Sequence, residues 1–481
     1  MGASLLATDG YKFSMAEAGW PLRTESFYYS HRKGGAQVMP VDAAAFVKAL
    51  LPEPTPADYA FLAANEYEMG IGFKAAVRRR DQVTVRAVPR GATFFPREPV
   101  ITVSGPSALV SWLEPLLLQL SYRVQVATLA LLDSGSLARE LAVVTCAAQK
   151  EIVAETLDAV GVAAPAMRVD EEGYRTRVRA QAAELVGIVG DGKRVFEVGL
   201  RAASCLEQHR LALEACRDAG VTRTSNVQGA FELGLTPVGT MGHEHVQRYG
   251  SDEAAFRAMR ERRPQRSSFL LDTFDTLGSG IPAAYDVIAE DPQAGDSIRY
   301  DSGDKESQYR FAIARAKERG IRPVQIIEDG CDAAITRRLE EVRREVGWEP
   351  HEQFYGYGGY LVAATMGTRL TRDRVAAVYK LCQSGKSPTM KFANEAGSGK
   401  RSIPGRPVLF RRRTGAGPVG VVGQEGEAPP KGYSLLTGSG PGPVSLPADA
   451  QVPEAEQRPG LSAATQALVD GLEARYFGGR G

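Results

Sequence analysis

The chain has 481 residues, 43% hydrophobic and 24% charged, with a formal net charge of +1. That length predicts two or three domains of ordinary globular composition. The near-neutral balance excludes a broad basic surface, so nucleic acid is not an expected partner. The five cysteines (Cys146, Cys205, Cys216, Cys331, Cys382) are widely spaced and form no Cys-x-x-Cys pair. They fit reduced, mostly buried thiols in a cytoplasmic protein better than a disulfide framework or zinc knuckle. Asp9 and Lys12 follow too few apolar residues for a signal peptide. The apolar run 109–120 is broken by Glu114 and Pro115 and is too short to span a bilayer, so no membrane partner is expected.

In chain order, residues 1–130 read as an α+β domain, with strands over 83–88 and 100–103 and a helix over 112–132. Residues 129–193 carry helical stretches and a weak strand region. From about residue 194 to 360 one grammar repeats: a short apolar or β-branched run ends in small and polar residues, and a helical pattern usually follows. The run ends are Glu197–Arg201, Thr224–Asn226, Val238–Thr240, Leu271–Thr273, Arg299–Asp304, Ile327–Gly330 and Gly356–Gly359. The helical patterns include 202–219, 305–319 and 332–346. Such spacing predicts βα units in an irregular, seven-stranded (β/α) barrel over 131–375, with its polar run ends on the functional face. No run is followed by Gly-x-Gly-x-x-Gly with an acidic residue downstream, which argues against an open dinucleotide-binding sheet. Part of 376–412 is expected to rejoin the N-terminal domain. Residues 413–481 turn rich in Gly and Pro, which reads as a linker ending in a short amphipathic helix over 463–476.

Five segments carry chemistry. Gly239–His245 contains two of the five histidines and places His243 where a strand gives way to a helix. A neutral imidazole there can be base, metal ligand or nucleophile, or simply a buried residue beside a glycine turn. Metal binding by His243 and His245, as in barrel hydrolases, would need further histidines, and only His351 lies downstream. In Arg299-x-Asp301-Ser302-Gly303-Asp304, strand alternation puts Arg299 and Asp301 on one face. The guanidinium suits a carboxylate or phosphate, and the acid suits sugar hydroxyls or hydrated Mg²⁺. Equally, Asp301 or Ser302 can cap the helix that starts near Asp304. Glu328 and Asp329 end an apolar run and can address ribose hydroxyls. Tyr355–Gly359 can bring backbone N–H groups to a phosphate or form a tight turn. Lys391, Lys400, Arg401 and Arg406 offer charge for polyphosphate, but 394–401 lacks the first glycine of a P-loop and has Arg401 where Ser or Thr is required.

Together these segments resemble the nicotinate phosphoribosyltransferase family and its sister, nicotinamide phosphoribosyltransferase. The resemblance runs in order from Leu5–Lys12 through Trp112–Glu114, Tyr122, Val126–Thr128, Glu197–Arg201, Thr224–Val227, Gly239–Glu244, Arg299–Asp304, Glu328–Gly330 and Gly356–Gly359 to Leu370–Asp373. It implies transfer of phosphoribosyl from PRPP to nicotinate, with Mg²⁺, coupled to ATP hydrolysis through a phosphorylated His243. It further implies a homodimer in which Tyr11 stacks on the pyridine of the neighbouring subunit. Thr240 and Arg299 would address nicotinate. Arg201 and Arg372 would address phosphates, Asp301 and Asp329 the ribose or hydrated metal, and Gly358 and Gly359 would border the 5′-phosphate. Asp304 is a further candidate beside the metal. The sister family has an aspartate where this chain has Ser225, and a hydroxyl can donate to a carboxylate, so nicotinate is favoured over nicotinamide. Val198 stands where the family stacks a Phe on the ring. A non-catalytic pyridine-nucleotide sensor on the same fold is the alternative from a different class.

Overall fold

The computed structural model describes residues 3–392, 401–414, 417–437 and 446–477. Its principal strands, in chain order, are β1 (Thr24–His31), β2 (Thr84–Ala87), β3 (Ile101–Pro106), β4 (Val195–Glu197), β5 (Arg223–Thr224), β6 (Thr236–Pro237), β7 (Ser268–Leu270) and β8 (Ser297–Tyr300). They continue with β9 (Val324–Ile327), β10 (Gln353–Tyr357), β11 (Ala377–Ser384), β12 (Ser387–Pro388), β13 (Pro407–Arg412), β14 (Gly420–Gln424), β15 (Tyr433–Leu435) and β16 (Gly460–Leu461). Three sheets result: a seven-stranded sheet ordered β6-β5-β4-β10-β9-β8-β7, a five-stranded sheet ordered β12-β11-β1-β3-β2, and a four-stranded sheet ordered β15-β13-β14-β16.

Every pairing in the seven-stranded sheet is parallel. Register sets Glu197 beside Thr224 and Tyr357, and Tyr300 beside Ile327. The residues that follow, Ser225, Asp301 and Glu328, therefore leave the sheet along one rim. The edge strands β6 and β7 are not hydrogen-bonded to each other among the described residues. Yet Thr240, just past β6, reaches Arg299 on β8, and His243 approaches Asp272, just past β7. The sheet is thus a curled parallel half-barrel, the coarser form of the irregular seven-stranded (β/α) barrel expected from sequence. Edge strand β6 is only two residues long and ends in Pro237, which has no N–H to give a further ladder.

Helices cover this sheet for reasons visible in their spacing. Glu171–Val189 buries Tyr174, Val178, Ala182, Leu185 and Val189, one stripe at helical period. It gives residues 129–193 their role as part of the half-barrel's covering layer. Lys305–Arg319 is capped by Asp304, whose carboxylate accepts from Ser307 N, and ends at left-handed Gly320. The cap is therefore Asp304, not Asp301 or Ser302. Leu206–Asp218 begins later than the pattern over 202–219 because Leu200–Ala202 forms a 3₁₀ turn.

After the half-barrel the chain returns to the N-terminal region, and β11 pairs antiparallel with β1 from Ala377–His31 to Ser384–Glu25. The stretch 413–481 is not simply a linker: it supplies β14, β15 and β16 before the helix Ala463–Phe477. Glycine and proline concealed strands only two to five residues long. One helical stretch, Glu114–Leu132, is apolar and long enough to cross a membrane, but 67% of it is buried inside the fold.

The helix His243–Tyr249, which follows the half-barrel strand β6, is tied to the five-stranded sheet by a buried ion pair. Arg248 donates through Nε and Nη2 to Glu25 at 2.7 and 2.9 Å, and Ser107 and Ser384 donate to the same carboxylate. Losing one partner strands a buried charge, which costs about 3–5 kcal/mol. Glu25→Ala should lower the free energy of urea unfolding by that amount; a loss below about 1 kcal/mol, the worth of an exposed pair, would contradict this reading.

Candidate functional site

A cavity of about 230 Å³ opens at the strand-end rim, between the half-barrel and the five-stranded sheet. Its lining includes Tyr11, Arg201, Ser225, Thr240, His243, Arg299, Asp301, Asp329 and Arg372. These residues come from separate strand ends and from the N-terminal turn, so one concavity gathers side chains spread over some 360 positions of sequence.

The N-terminal turn enters by close backbone contact. Gly10 N donates to Ser225 O at 2.7 Å, and a Cβ on Gly239 would lie 2.3 Å from Tyr11 N, so only glycine fits there. Tyr11 Oη donates to Glu114 at 2.7 Å. Lys12 Nζ donates to Glu114 and Glu244, each at 2.8 Å. Burial would lower the Lys12 pKa, but the two carboxylates raise it overall. Burial would raise Glu114, yet Lys12, Lys380 and Arg201 hold it well below the usual range. Tyr11 thus lines the cavity of its own chain.

His243 opens the helix His243–Tyr249, where the chain turns after β6. Its Nδ1 lies 3.1 Å from Thr273 Oγ1. Its Nε2 lies 2.7 Å from Lys391 Nζ, 3.3 Å from Asp301 Oδ2 and 3.8 Å from Asp272 Oδ1. Burial and the Lys391 charge push the imidazole pKa down, against Asp272 and Asp301. The ring is therefore neutral near pH 7. An ammonium can only donate, so Nε2 is the acceptor and the proton sits on Nδ1, facing Thr273. For Asp301, burial opposes ionisation, but the Arg299 and Lys391 charges hold its pKa well below the usual range. Asp272 Oδ1 is buried with no hydrogen-bond partner among the described residues.

Arg299, on β8, donates to Thr240 Oγ1 and pairs with Asp301 and Glu328 at 3.6 Å each. Its buried Nε has no partner among the described residues. That donor is available to an anionic ligand. Asp329 lines the cavity in a left-handed backbone conformation, φ 56°; burial and Asp301 raise its pKa. Arg372 also lines it, held by Asp373 at 2.7 Å.

Other sequence candidates fall outside the cavity or act differently. Gly358 and Gly359 do not line it, although a Cβ on Gly359 would lie 2.5 Å from Asp373 Oδ2, so this glycine lets Asp373 approach. Asp304 is spent as a helix cap. His245 is buried, its Nε2 3.0 Å from Ala255 O, and does not join the cluster of His243, Asp272 and Asp301. Lys400 and the rest of 394–400 lie outside the described residues. Ser225 lines the cavity, but its hydroxyl donates to Asp9 Oδ1 at 2.7 Å, so it is already committed. Val198 lines the wall with Phe196 nearby.

Sequence reasoning missed Asp9, Asp272 and Lys380 as members of the site. Burial pushes Asp9 up and pushes Lys380 down to about 8. The signal for Lys380 was a single cation inside the otherwise apolar and small run 377–382.

The architecture is shared with solved nicotinate phosphoribosyltransferases. That from Porphyromonas gingivalis superposes with a TM-score of 0.57 at 18% identity, covering 83% of this chain and 95% of that one. That from Vibrio cholerae gives 0.57 at 18%, covering 82% and 88%. No family model matches the chain. Nicotinate phosphoribosyltransferase from Bacillus subtilis is 29% identical over 248 residues, 50% of this chain and 47% of that protein; the chain thus spans about half the length of that relative. The human protein of the same name is 27% identical over 439 residues, covering 84% and 76%. In sequence and in fold the chain is thus similar to proteins named nicotinate phosphoribosyltransferase.

If Lys391 depresses the imidazole, Lys391→Met should raise the His243 titration midpoint, followed by NMR of the ring protons, toward or above the ordinary 6.5. An unchanged or lower midpoint would contradict the assignment.

Proposed function

We propose that the protein transfers phosphoribosyl from PRPP to the ring nitrogen of nicotinate, giving nicotinate mononucleotide and pyrophosphate in NAD salvage. We further propose that the transfer is coupled to ATP through a phosphohistidine at His243, in a cytoplasmic homodimer. The observation that carries the reading is Arg299, a buried guanidinium with an unpartnered Nε in the same cavity as His243. A pyridine carboxylate meeting Arg299 and Thr240 would be held by charge-assisted hydrogen bonds. Tyr11 and Phe196 line that cavity and bring aromatic surface to it.

In the coupling step, neutral His243 Nε2 attacks the γ-phosphorus of ATP, the bond to the bridging oxygen breaks, and ADP leaves. Thr273 accepts from Nδ1–H and holds the ring in the reactive tautomer. In the transfer step, the C1–O bond of PRPP breaks, pyrophosphate departs, and the nicotinate nitrogen bonds to C1. Positive charge develops on the sugar, so cations near the leaving group matter more than a base. Arg201, Lys391 and Lys380 line the cavity and supply that charge. Asp272 and Asp301 would hold Mg²⁺, which would neutralise the departing pyrophosphate; Asp272 Oδ1, without a hydrogen-bond partner among the described residues, supports that use. With Asp304 committed as a cap, it has no part in this scheme.

Nicotinamide is a second reading that one contact favours. The Asp9–Ser225 pair puts a carboxyl where a lone hydroxyl was expected. An ionised Asp9 would accept from an amide; a neutral one, which burial promotes, would donate to nicotinate. Asp9→Asn keeps a donor and removes the anion. It should leave nicotinate turnover within about tenfold and shift the kcat/KM ratio of the two pyridines further toward nicotinate. A wild type preferring nicotinamide would overturn the substrate assignment.

Phosphoryl coupling is tested with γ-labelled ATP. Wild type should acquire an acid-labile, base-stable label. His243→Ala should lose both label and ATP hydrolysis while keeping slow phosphoribosyl transfer. A variant that still labels would contradict a phosphorylated His243, and wild type that binds nucleotide but releases no pyrophosphate would instead indicate a sensor. Light scattering of the purified protein checks the dimer.

A further inference from the structure

A second cavity, about 390 Å³, lies between the five-stranded sheet and the C-terminal sheet with its helix. It shares Arg32 and Val378 with the site above but otherwise has its own walls. Strand alternation brings Tyr28 and Ser30 of β1, and Arg32 just past its end, to one face of it. Across from them stand Arg97 and, from the C-terminal region, Arg401 and Arg458. No carboxylate is among the described residues lining it.

These four arginines are not equally engaged. Arg401 pairs with Glu473. The side chains of Arg97 and Arg458 have no hydrogen bond or ion pair to a described residue, and they oppose each other: burial and then the Arg458 charge lower the Arg97 pKa. Arg97 also adopts a left-handed backbone, φ 70°, its N–H tied to His31 O at 2.6 Å. A non-glycine residue held there is strained and commonly serves a function. Like charges brought together around a concavity without an acid are stabilised by an anion, and guanidinium geometry matches phosphate oxygens. The other wall is apolar, with Met390, Val422, Leu461 and Val469.

We propose that this cavity is a second binding site, distinct from the catalytic one, for a phosphorylated small molecule. Its phosphate end lies between Arg97 and Arg458, and any flat organic part lies against Val422, Leu461 and Val469. The volume lies within the range of small-ligand pockets. The inference stands on these walls alone and does not depend on which reaction the neighbouring cavity performs.

Calorimetric titration of the full chain with inorganic tripolyphosphate, and separately with ADP, tests it. Saturable binding is expected, weakened at least about tenfold in Arg458→Glu and in Arg97→Gln. Arg458 is exposed and unpartnered, so its replacement leaves the fold intact, which thermal unfolding verifies. Both probes can also enter the catalytic cavity, so Arg201→Gln should leave unchanged the binding event that Arg458→Glu and Arg97→Gln weaken. ADP binding tighter than tripolyphosphate would identify a nucleoside phosphate, and the reverse a free polyphosphate anion; either supports the site. Absence of saturable binding, wild-type affinity in both arginine variants, or loss of binding in Arg201→Gln would overturn it. A protein that fails to transfer phosphoribosyl yet passes this test would sink only the reaction assigned to the first cavity.

Discussion

The ammonium of Lys12 lies between Glu114 and Glu244, with side-chain exposures of 3%, 12% and 7%. Three segments separated by about one hundred and two hundred and thirty positions meet at that charge. A cation taken out of water this far needs both carboxylates, and they in turn need it, because each unpaired buried ion would cost several kcal/mol. The geometry of the site follows from this constraint. Glu114 also accepts from Tyr11 and lies 4.0 Å from Arg201; Glu244 accepts from Ser111 and immediately follows His243. Fixing Lys12 therefore sets the N-terminal turn, the buried helix at Glu114 and the first turn of the histidine-bearing helix in one register.

Around that anchor the site is a field of alternating charges. Arg299 stands among Asp301, Glu328 and Thr240, and His243 among Lys391, Asp301 and Asp272. Each group is held by neighbours that keep it in one ionisation state: Asp301 ionised, His243 neutral, Lys12 charged. Such preorganisation favours reactions in which charge departs or develops, because the dipoles need not reorganise as the bond breaks. Among the described residues, the buried atoms Arg299 Nε and Asp272 Oδ1 are without a hydrogen-bond partner, as are others in this site. Both belong to residues that line or border the cavity and await a ligand's complementary groups.

Much of this was legible in the residues. Apolar runs ending in Ser225, His243, Asp301 and Asp329 signalled parallel strand ends, because only a parallel sheet delivers successive polar ends to one rim. Arg299 was legible as an anion reader from strand alternation. What failed did so for physical reasons. Asp304 looked like a ligand, but an acid before a helix is just as well used on its own backbone N–H groups. Ser225 looked free, but Asp9, more than two hundred positions earlier, takes its proton, and no local pattern encodes that partner. Pro237 and a two-residue strand end the ladder at that edge, which periodicity cannot reveal. The strands after residue 413 were hidden by glycine and proline, whose abundance mimics a linker.

The account rests on the claim that the Arg299 cavity receives a pyridine carboxylate. A crystal structure of the protein soaked with nicotinate tests this most directly. The account predicts the carboxylate within about 3 Å of Arg299 and Thr240, with the ring against Tyr11 or Phe196 and its nitrogen directed into the space bordered by His243 and Asp301. Nicotinate bound elsewhere, or lodged here with its carboxylate turned away from Arg299, would contradict it.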